Sequence, residues 1–392
     1  MSSASTGWKH NLTIERQRLP KIDIRQLLRL SDDTGILQHA THAAPNPNHG
    51  YCIDDNARAL IAGIQFANLR PHEAHRVPLH RYLSFLIYAF NEANSTFRNF
   101  MSYDRQWLET SGSEDSQGRT LWALGLTVRF GPAKDIRNLA HTLFQRALPS
   151  IEHLNPIRSK AFALIGLNAF VDAVPNHEPS VALRDRLTQE LFDTYQHHAT
   201  PDWPWWEDTV TYANAKLPHA LLLGGTAIGR TDVIEGALES LKWLLEIQTT
   251  PKGHLSPIGN KGWMTRNGTK AQFDQQPIEA HALVEACLLA NRWTNENIWV
   301  DHAWRSFEWF TGCNDLNIPL HDQETGGCHD GLQCDGVNQN QGSESSLAYL
   351  LCVLQLHLYH QHNRSITKHK NMSTRQKIRR TVVGFLRGNP KA

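Results

Sequence analysis

No stretch of this 392-residue sequence approaches the ~18 uninterrupted apolar residues that a membrane helix needs. Hydrophobic residues make up 40% and charged residues 20%, a composition that excludes an integral membrane protein. The N-terminus, Met1 to Thr13, is polar and lacks the apolar core of a secretory signal, so the cytoplasm is the expected location. Cysteine is sparse. The six residues Cys52, Cys287, Cys313, Cys328, Cys334 and Cys352 contain no CxxC pair, and reduced thiols are expected. The local group Cys313, Cys328, His329, Asp330 and Cys334 has zinc-ligand chemistry, but its spacings match no metal motif with a mechanical rationale. No metal and no cofactor is expected.

Net charge is nearly absent, with 39 basic against 38 acidic residues, so no global field recruits nucleic acid or anionic lipid. The balance hides a segregation. From Ile366 onward Lys368, Lys370, Arg375, Lys377, Arg379, Arg380, Arg387 and Lys391 meet no acid, and setting these eight aside leaves 31 basic against 38 acidic residues. Residues 363–392 read as a flexible basic tail without a catalytic role. Also missing are a Gly-rich phosphate loop, GxGxxG after a strand, HExxH and GxSxG, which removes the strongest signatures of nucleotide, zinc-protease and serine-hydrolase chemistry.

What the sequence does contain is helical periodicity, with no convincing strand alternation. Twelve segments follow it: 22–31, 55–68, 75–93, 117–130, 134–149, 157–174, 178–197, 212–228, 230–249, 275–292, 296–311 and 341–361. Between them, long segments rich in Gly, Pro, Asn and Trp cover 32–53, 94–116, 198–211, 250–273 and 312–340. Structureless loops longer than ~12–15 residues are uncommon in compact domains and usually functional. Here they recur once per helical hairpin, except before the third inner segment, where Pro156 follows the preceding helix closely. A closed ring of six hairpins explains the period, because all inner helices then start at one rim and all long loops gather there. The expectation is an all-α (α/α)6 toroid over residues 21–362, preceded by an N-terminal arm, 1–20. An open solenoid of helix pairs is the alternative, though its repeats should share a pattern that these lack.

The starts of the inner segments are polar beyond what capping requires. Asp54 and Asp55 open the first, Asp115 with Arg119 the second, Glu207 and Asp208 precede the fourth, Gln275, Gln276 and Glu279 open the fifth, and Glu344 the sixth. One cap needs one acceptor, so the adjacent acids at 54–55 and 207–208 are in surplus. Aromatics crowd the same loops, among them Tyr103, Trp107, Trp205, Trp206 and Tyr212. Flat rings beside carboxylates, amides and arginines suit a sugar, whose C–H faces stack while its hydroxyls need donors and acceptors. Two carboxyl groups across a glycosidic bond serve as acid and as base or nucleophile without a cofactor.

The motifs HGYCIDDNARAL, FRNFMSYDRQWLE, SEDSQGRTLWALG, WPWWEDTVTYANAKLPHALL, FDQQPIEAHALVEA and NQGSESSLAYLL resemble those of bacterial proteins labelled glycosyltransferase-like or found beside glycosyltransferases. The helix order resembles the six-hairpin glycosidase superfamily. Asp54-Asp55 is similar to the paired aspartates of some α-mannan-cleaving toroids, though the Trp pair that follows there is absent. The resulting expectation is a glycoside hydrolase, or a related transglycosylating or phosphorolytic enzyme, acting on a bacterial oligosaccharide. A sugar isomerase or epimerase and a non-catalytic glycan-binding module that supports a glycosyltransferase are the alternatives. Asp55 as base and Glu207 as acid are the expected pair, with Asp54, Asp208, Glu279 and Glu344 as further acids. Tyr103, Arg105, Trp107, Asp115, Arg119, Trp205, Trp206, Tyr212, Gln275 and Gln276 are the expected substrate contacts. If the first and fourth inner helices face each other, carboxyls ~6.5–9.5 Å apart would make the reaction inverting, and a ~5 Å pair retaining. No nucleic-acid partner or integral membrane contact is expected, and the sequence leaves the oligomeric state open.

Overall fold

A computed structural model describes residues 19–386, with side chains through residue 365. Twelve α-helices run through the described residues: α1 (Arg25–Leu30), α2 (Ile53–Leu69), α3 (Leu79–Ala89), α4 (Glu114–Phe130), α5 (Lys134–Ala147), α6 (Ile157–Ala173), α7 (Glu178–His198), α8 (Lys216–Ile228), α9 (Thr231–Ile247), α10 (Pro277–Thr294), α11 (Asn297–Glu308) and α12 (Ser343–Leu386). Each falls on one of the twelve periodic segments.

Composition decides which helices stand inside. In α2, 14 of 17 residues are buried, because Ala57, Ala59, Ala62, Gly63 and Ala67 let neighbours approach from several sides. In α5 the buried set is the narrow stripe Ile136, Ala140, Leu143, Phe144 and Ala147, the pattern of a helix covered on one face. The inner helices contact one another in the order α2, α4, α6, α8, α10, α12 and back to α2, which closes the ring. Outer helices α3, α5, α7, α9 and α11 each pack on the inner helix that precedes them, and α1 packs on α12. The sixth hairpin is thus made from the two ends of the described chain. The architecture is the expected (α/α)6 toroid.

The long loops lead into α2, α4, α8, α10 and α12, and two-residue antiparallel pairings tie them together. Tyr51–Cys52 pairs with Phe100–Met101, and Thr209–Val210 with Met264–Thr265. A single bridge joins Gln275 to Leu332. These short ladders have no strand-length alternation, which is why the sequence pattern does not announce them. At the far end, α12 continues to Leu386 without a proline, so the backbone is helical where a flexible tail was expected. Of the expected N-terminal arm, 1–20, residues 1–18 lie outside the described residues, as do the last six of the chain.

The tightest seam of the ring joins α4 to α6. A Cβ on Gly125 would stand 2.1 Å from the Gly166 carbonyl oxygen, and one on Gly166 would stand 2.3 Å from that of Leu121. Both obstacles are backbone and cannot rotate away. Gly125→Val should therefore lower the unfolding free energy by at least ~2 kcal/mol in denaturant titration, the usual range for overpacking. Gly229→Ala, at φ 68° with nothing within 4 Å, should cost only about 1 kcal/mol of backbone strain.

Candidate active site at the seam of the ring

Ring closure makes neighbours of α2 and α12, so the loops leading into them, 32–53 and 312–340, converge. Between them lies a cavity of about 250 Å³, lined by His39, Asp54, Asp55, Arg58, Phe100, Gln276, Asp330, Glu344 and adjoining residues. Neither aspartate is a cap: the N-cap of α2 is Cys52, and it makes no side-chain cap bond. Arg58 donates to Asp55 Oδ1 at 2.8 Å and, with its other terminal nitrogen, to Glu344 Oε2 at 2.7 Å. The Cys52 thiol donates to Asp55 Oδ2 at 3.1 Å. Burial pushes the Asp55 carboxyl up to about 6 despite Arg58. Asp54 Oδ2 accepts from Arg119 at 2.9 Å, while its Oδ1 is buried without a hydrogen-bond partner. Buried acceptors are usually paired, so an oxygen left without a partner calls for an explanation.

The remaining rim carboxylates continue the same network. Arg119 also pairs with Asp115 at 3.2 Å. Asp115 accepts from Ser159 at 2.6 Å and from the Tyr212 hydroxyl at 2.8 Å. Arg158 donates to the Tyr212 carbonyl at 2.5 Å, to Glu207 at 2.6 Å and to Asn214 Oδ1 at 3.3 Å. Asn214 in turn donates to Glu279 at 2.8 Å, and the backbone N–H of Ala213 also donates to that carboxylate. A belt of arginines and carboxylates therefore passes from α10 around to α12. Glu279 is 2% exposed, and burial pushes its carboxyl up to about 7 against three donors.

The structure separates the expected site residues into groups. Asp54, Asp55, Glu344 and Gln276 line the cavity; Glu207 does not, being tied to Arg158 farther along the belt. Asp55 and Glu207 are not brought together across this cavity. Asp208 points outward, with a 78% exposed side chain beside Arg266. Trp205 and Trp206 are fully buried, packed on each other at 5.2 Å and on Trp243 and Tyr195, because their loop turns inward behind α7 and α9. They are core residues rather than a sugar platform. Gln275 is likewise locked inside, donating to Asp315 at 2.5 Å and accepting from Trp309 at 2.8 Å. Tyr103 is exposed and stacks on Tyr51, Arg105 pairs with Asp33 at 2.7 Å, and Trp107 packs against Phe85 and Tyr88.

Among the cavity residues outside the expected site are Asp330, read from the sequence only within the local Cys/His/Asp group, and His39. Asp330 accepts from the Gly342 N–H at 2.8 Å, and burial raises its carboxyl; His39 is held below its ordinary value by burial. Both sit in loops, with no helix start to mark them. The signal that was available is ring closure itself, which makes neighbours of the first and last long loops.

Below this cavity, on the axis of the ring, Lys216 is buried against Glu285 and lies 3.8 Å from the centre of the Trp122 ring. His281 approaches Glu285 at 3.5 Å, and Gln355 donates to it at 3.2 Å. Burial alone would raise the Glu285 carboxyl, but the Lys216 ammonium holds it well below its ordinary value. Burial and Lys216 push the neighbouring His219 down to about 3, so it is neutral.

No protein-family model matches the chain, and no curated protein matches it in sequence. Solved structures match it in fold. A sugar epimerase from a ruminal bacterium superposes with a TM-score of 0.68 at 11% identity, covering 89% of this chain and 98% of its own. The cellobiose 2-epimerase of Spirochaeta thermophila gives 0.67 at 12% identity, covering 92% and 98%. An α-1,6-mannanase of Salegentibacter gives 0.57 at 13% identity, covering 86% and 97%; that structure is an inactive variant with two consecutive aspartates replaced by alanine, in complex with an α-1,6-linked mannotetraose. With helices in the same closed ring of hairpins, the chain shares the (α/α)6 toroid fold of these sugar epimerases and of the mannanase.

Proposed function

We propose that the chain is a carbohydrate-active enzyme, a glycoside hydrolase or a related transglycosylating or phosphorolytic enzyme, that takes one end of an oligosaccharide into the seam cavity. The observation that carries this reading is the pair Asp54-Asp55: one carboxylate presents a buried oxygen without a partner, and the next is pushed by burial to about 6. Two carboxyls whose environments differ this way can divide acid and base work between them. Asp55 is the proton donor to the leaving oxygen, and Asp54, held by Arg119, is the base or nucleophile. Glu344, Gln276 and His39 offer acceptors and donors to sugar hydroxyls, and Phe100, 39% exposed at the cavity edge, offers a ring face. The fold-related mannanase, inactive without two consecutive aspartates, supports the same pair.

A second reading, a sugar epimerase or isomerase, is favoured by the His39 imidazole in the cavity and by the epimerases and the D-mannose isomerase that share the fold. A panel of α- and β-linked manno- and gluco-oligosaccharides separates the readings. Release of reducing ends is the expected result, with release only on addition of phosphate marking a phosphorylase. Conversion of the reducing sugar at constant chain length would replace the reading by the second one. Binding without turnover would leave a glycan-binding module.

Asp54→Asn and Asp55→Asn should each lower kcat at least ~10²-fold with unchanged circular dichroism, the low end for loss of acid–base catalysis. Near-normal rates in both would overturn the assignment. If Asp55 delivers its proton, kcat/KM should fall as pH rises through about 6. A profile flat between pH 5 and 8 would remove that role from Asp55.

A further inference from the structure

The larger cavity opens at the opposite mouth of the ring. It has a volume of about 700 Å³, within the range of small-molecule sites, and is walled by Ile61 and Ile64 of α2, Leu126 of α4, Ile165 of α6, Leu223 of α8 and Leu288 of α10. Gln65, which also lines it, lies ten residues beyond Asp55 along α2, so this space is ~15 Å farther down the ring axis than the seam aspartates.

Two features show that this is not simply an incompletely filled apolar core. First, Gln65 is only 8% exposed, yet its Oε1 is buried without a hydrogen-bond partner, and so is Nδ1 of His219 in the same lining. A buried acceptor left open costs free energy that a bound group can recover. Second, two guanidinium groups stand at the mouth, in the last turns of α4 and α10. Arg129 pairs with Asp172, whereas Arg292 makes no ion pair among the described residues. Burial, with the like charge of Arg129 nearby, lowers the Arg292 pKa, the electrostatic mark of a cation short of a counter-charge.

We propose that this cavity binds a small amphiphilic organic anion, with its apolar body between the aliphatic walls, its anionic group on Arg292, and a polar group of the body reaching Gln65 and His219. The site is separate from the seam cavity and does not depend on the activity proposed there.

Titration of the full-length protein with 8-anilinonaphthalene-1-sulfonate, followed by competition with dodecanoate and with dodecanol, tests the proposal. The expected result is saturable one-site binding that dodecanoate displaces at least ~10-fold better than dodecanol, since a charge-assisted hydrogen bond contributes at least one decade. Arg292→Gln should weaken binding by a similar factor, and Leu223→Trp, which fills the cavity, should abolish it with near-ultraviolet circular dichroism retained. Asp54→Asn should bind as the parent does. Absence of saturable binding overturns the proposal. So does equal competition by acid and alcohol, or binding that survives both Arg292→Gln and Leu223→Trp.

Discussion

Among the groups that close the ring, one buried guanidinium joins the first inner helix to the last. Arg58 spans 286 residues of sequence to reach Glu344 while keeping Asp55 on its own helix, and it does so with a side chain 7% exposed. Buried ions are expensive to desolvate, and the cost is offset only where each charge keeps its partners. Removing any member strands the others, which ties the geometry of the seam to the whole belt. Arg119 links α4 to α2, and Arg158 links α6 to the loop before α8. Inner helices that contact one another through small side chains gain little directional specificity from apolar packing alone. The belt supplies register at the rim, where the loops must meet.

That belt changes the meaning of the surplus acids. Read singly, Asp54, Asp55, Asp115, Glu207, Glu279 and Glu344 each suggest either a cap or a catalyst. In the assembled ring most of them are occupied by arginines and backbone donors, and among their buried oxygens the one without a hydrogen-bond partner belongs to Asp54. Burial and pairing then sort the carboxyls by pKa. Where desolvation outweighs the partner, at Asp55 and Glu279, the group is held near neutrality; where a buried ammonium wins, at Glu285, it stays ionised.

The helices were legible because their period is local: α5 announces its stripe in 14 residues, and the Pro- and Gly-broken loops announce the rim. The seam was less legible because it depends on which helices become neighbours. Sequence order suggests that the first and fourth inner helices share a site; ring closure gives α2 the sixth instead. Aromatic content misled for a related reason. Trp205 and Trp206 sit in a loop of irregular pattern, yet the loop folds back on α7 and α9, and nothing in WPWWED distinguishes an indole facing a sugar from one facing Trp243. The axial group around Lys216 and Glu285 was hidden more thoroughly. Its members come from α4, α8, α10 and α12, and each alone reads as one polar residue in an apolar helix.

A ring with all its inner helices pointing the same way is electrically polar in a manner that an up-and-down bundle is not. Apart from α12, which runs on to Leu386, the inner helices begin with N–H groups at the seam mouth and end with C=O groups at the other, equivalent to roughly half a charge of either sign. The outer helices run oppositely but stand farther from the axis, so the cancellation there is incomplete. The two mouths therefore differ in potential even before any side chain is counted. Carboxylates gather at one and Arg129 and Arg292 at the other, each near the end that favours it.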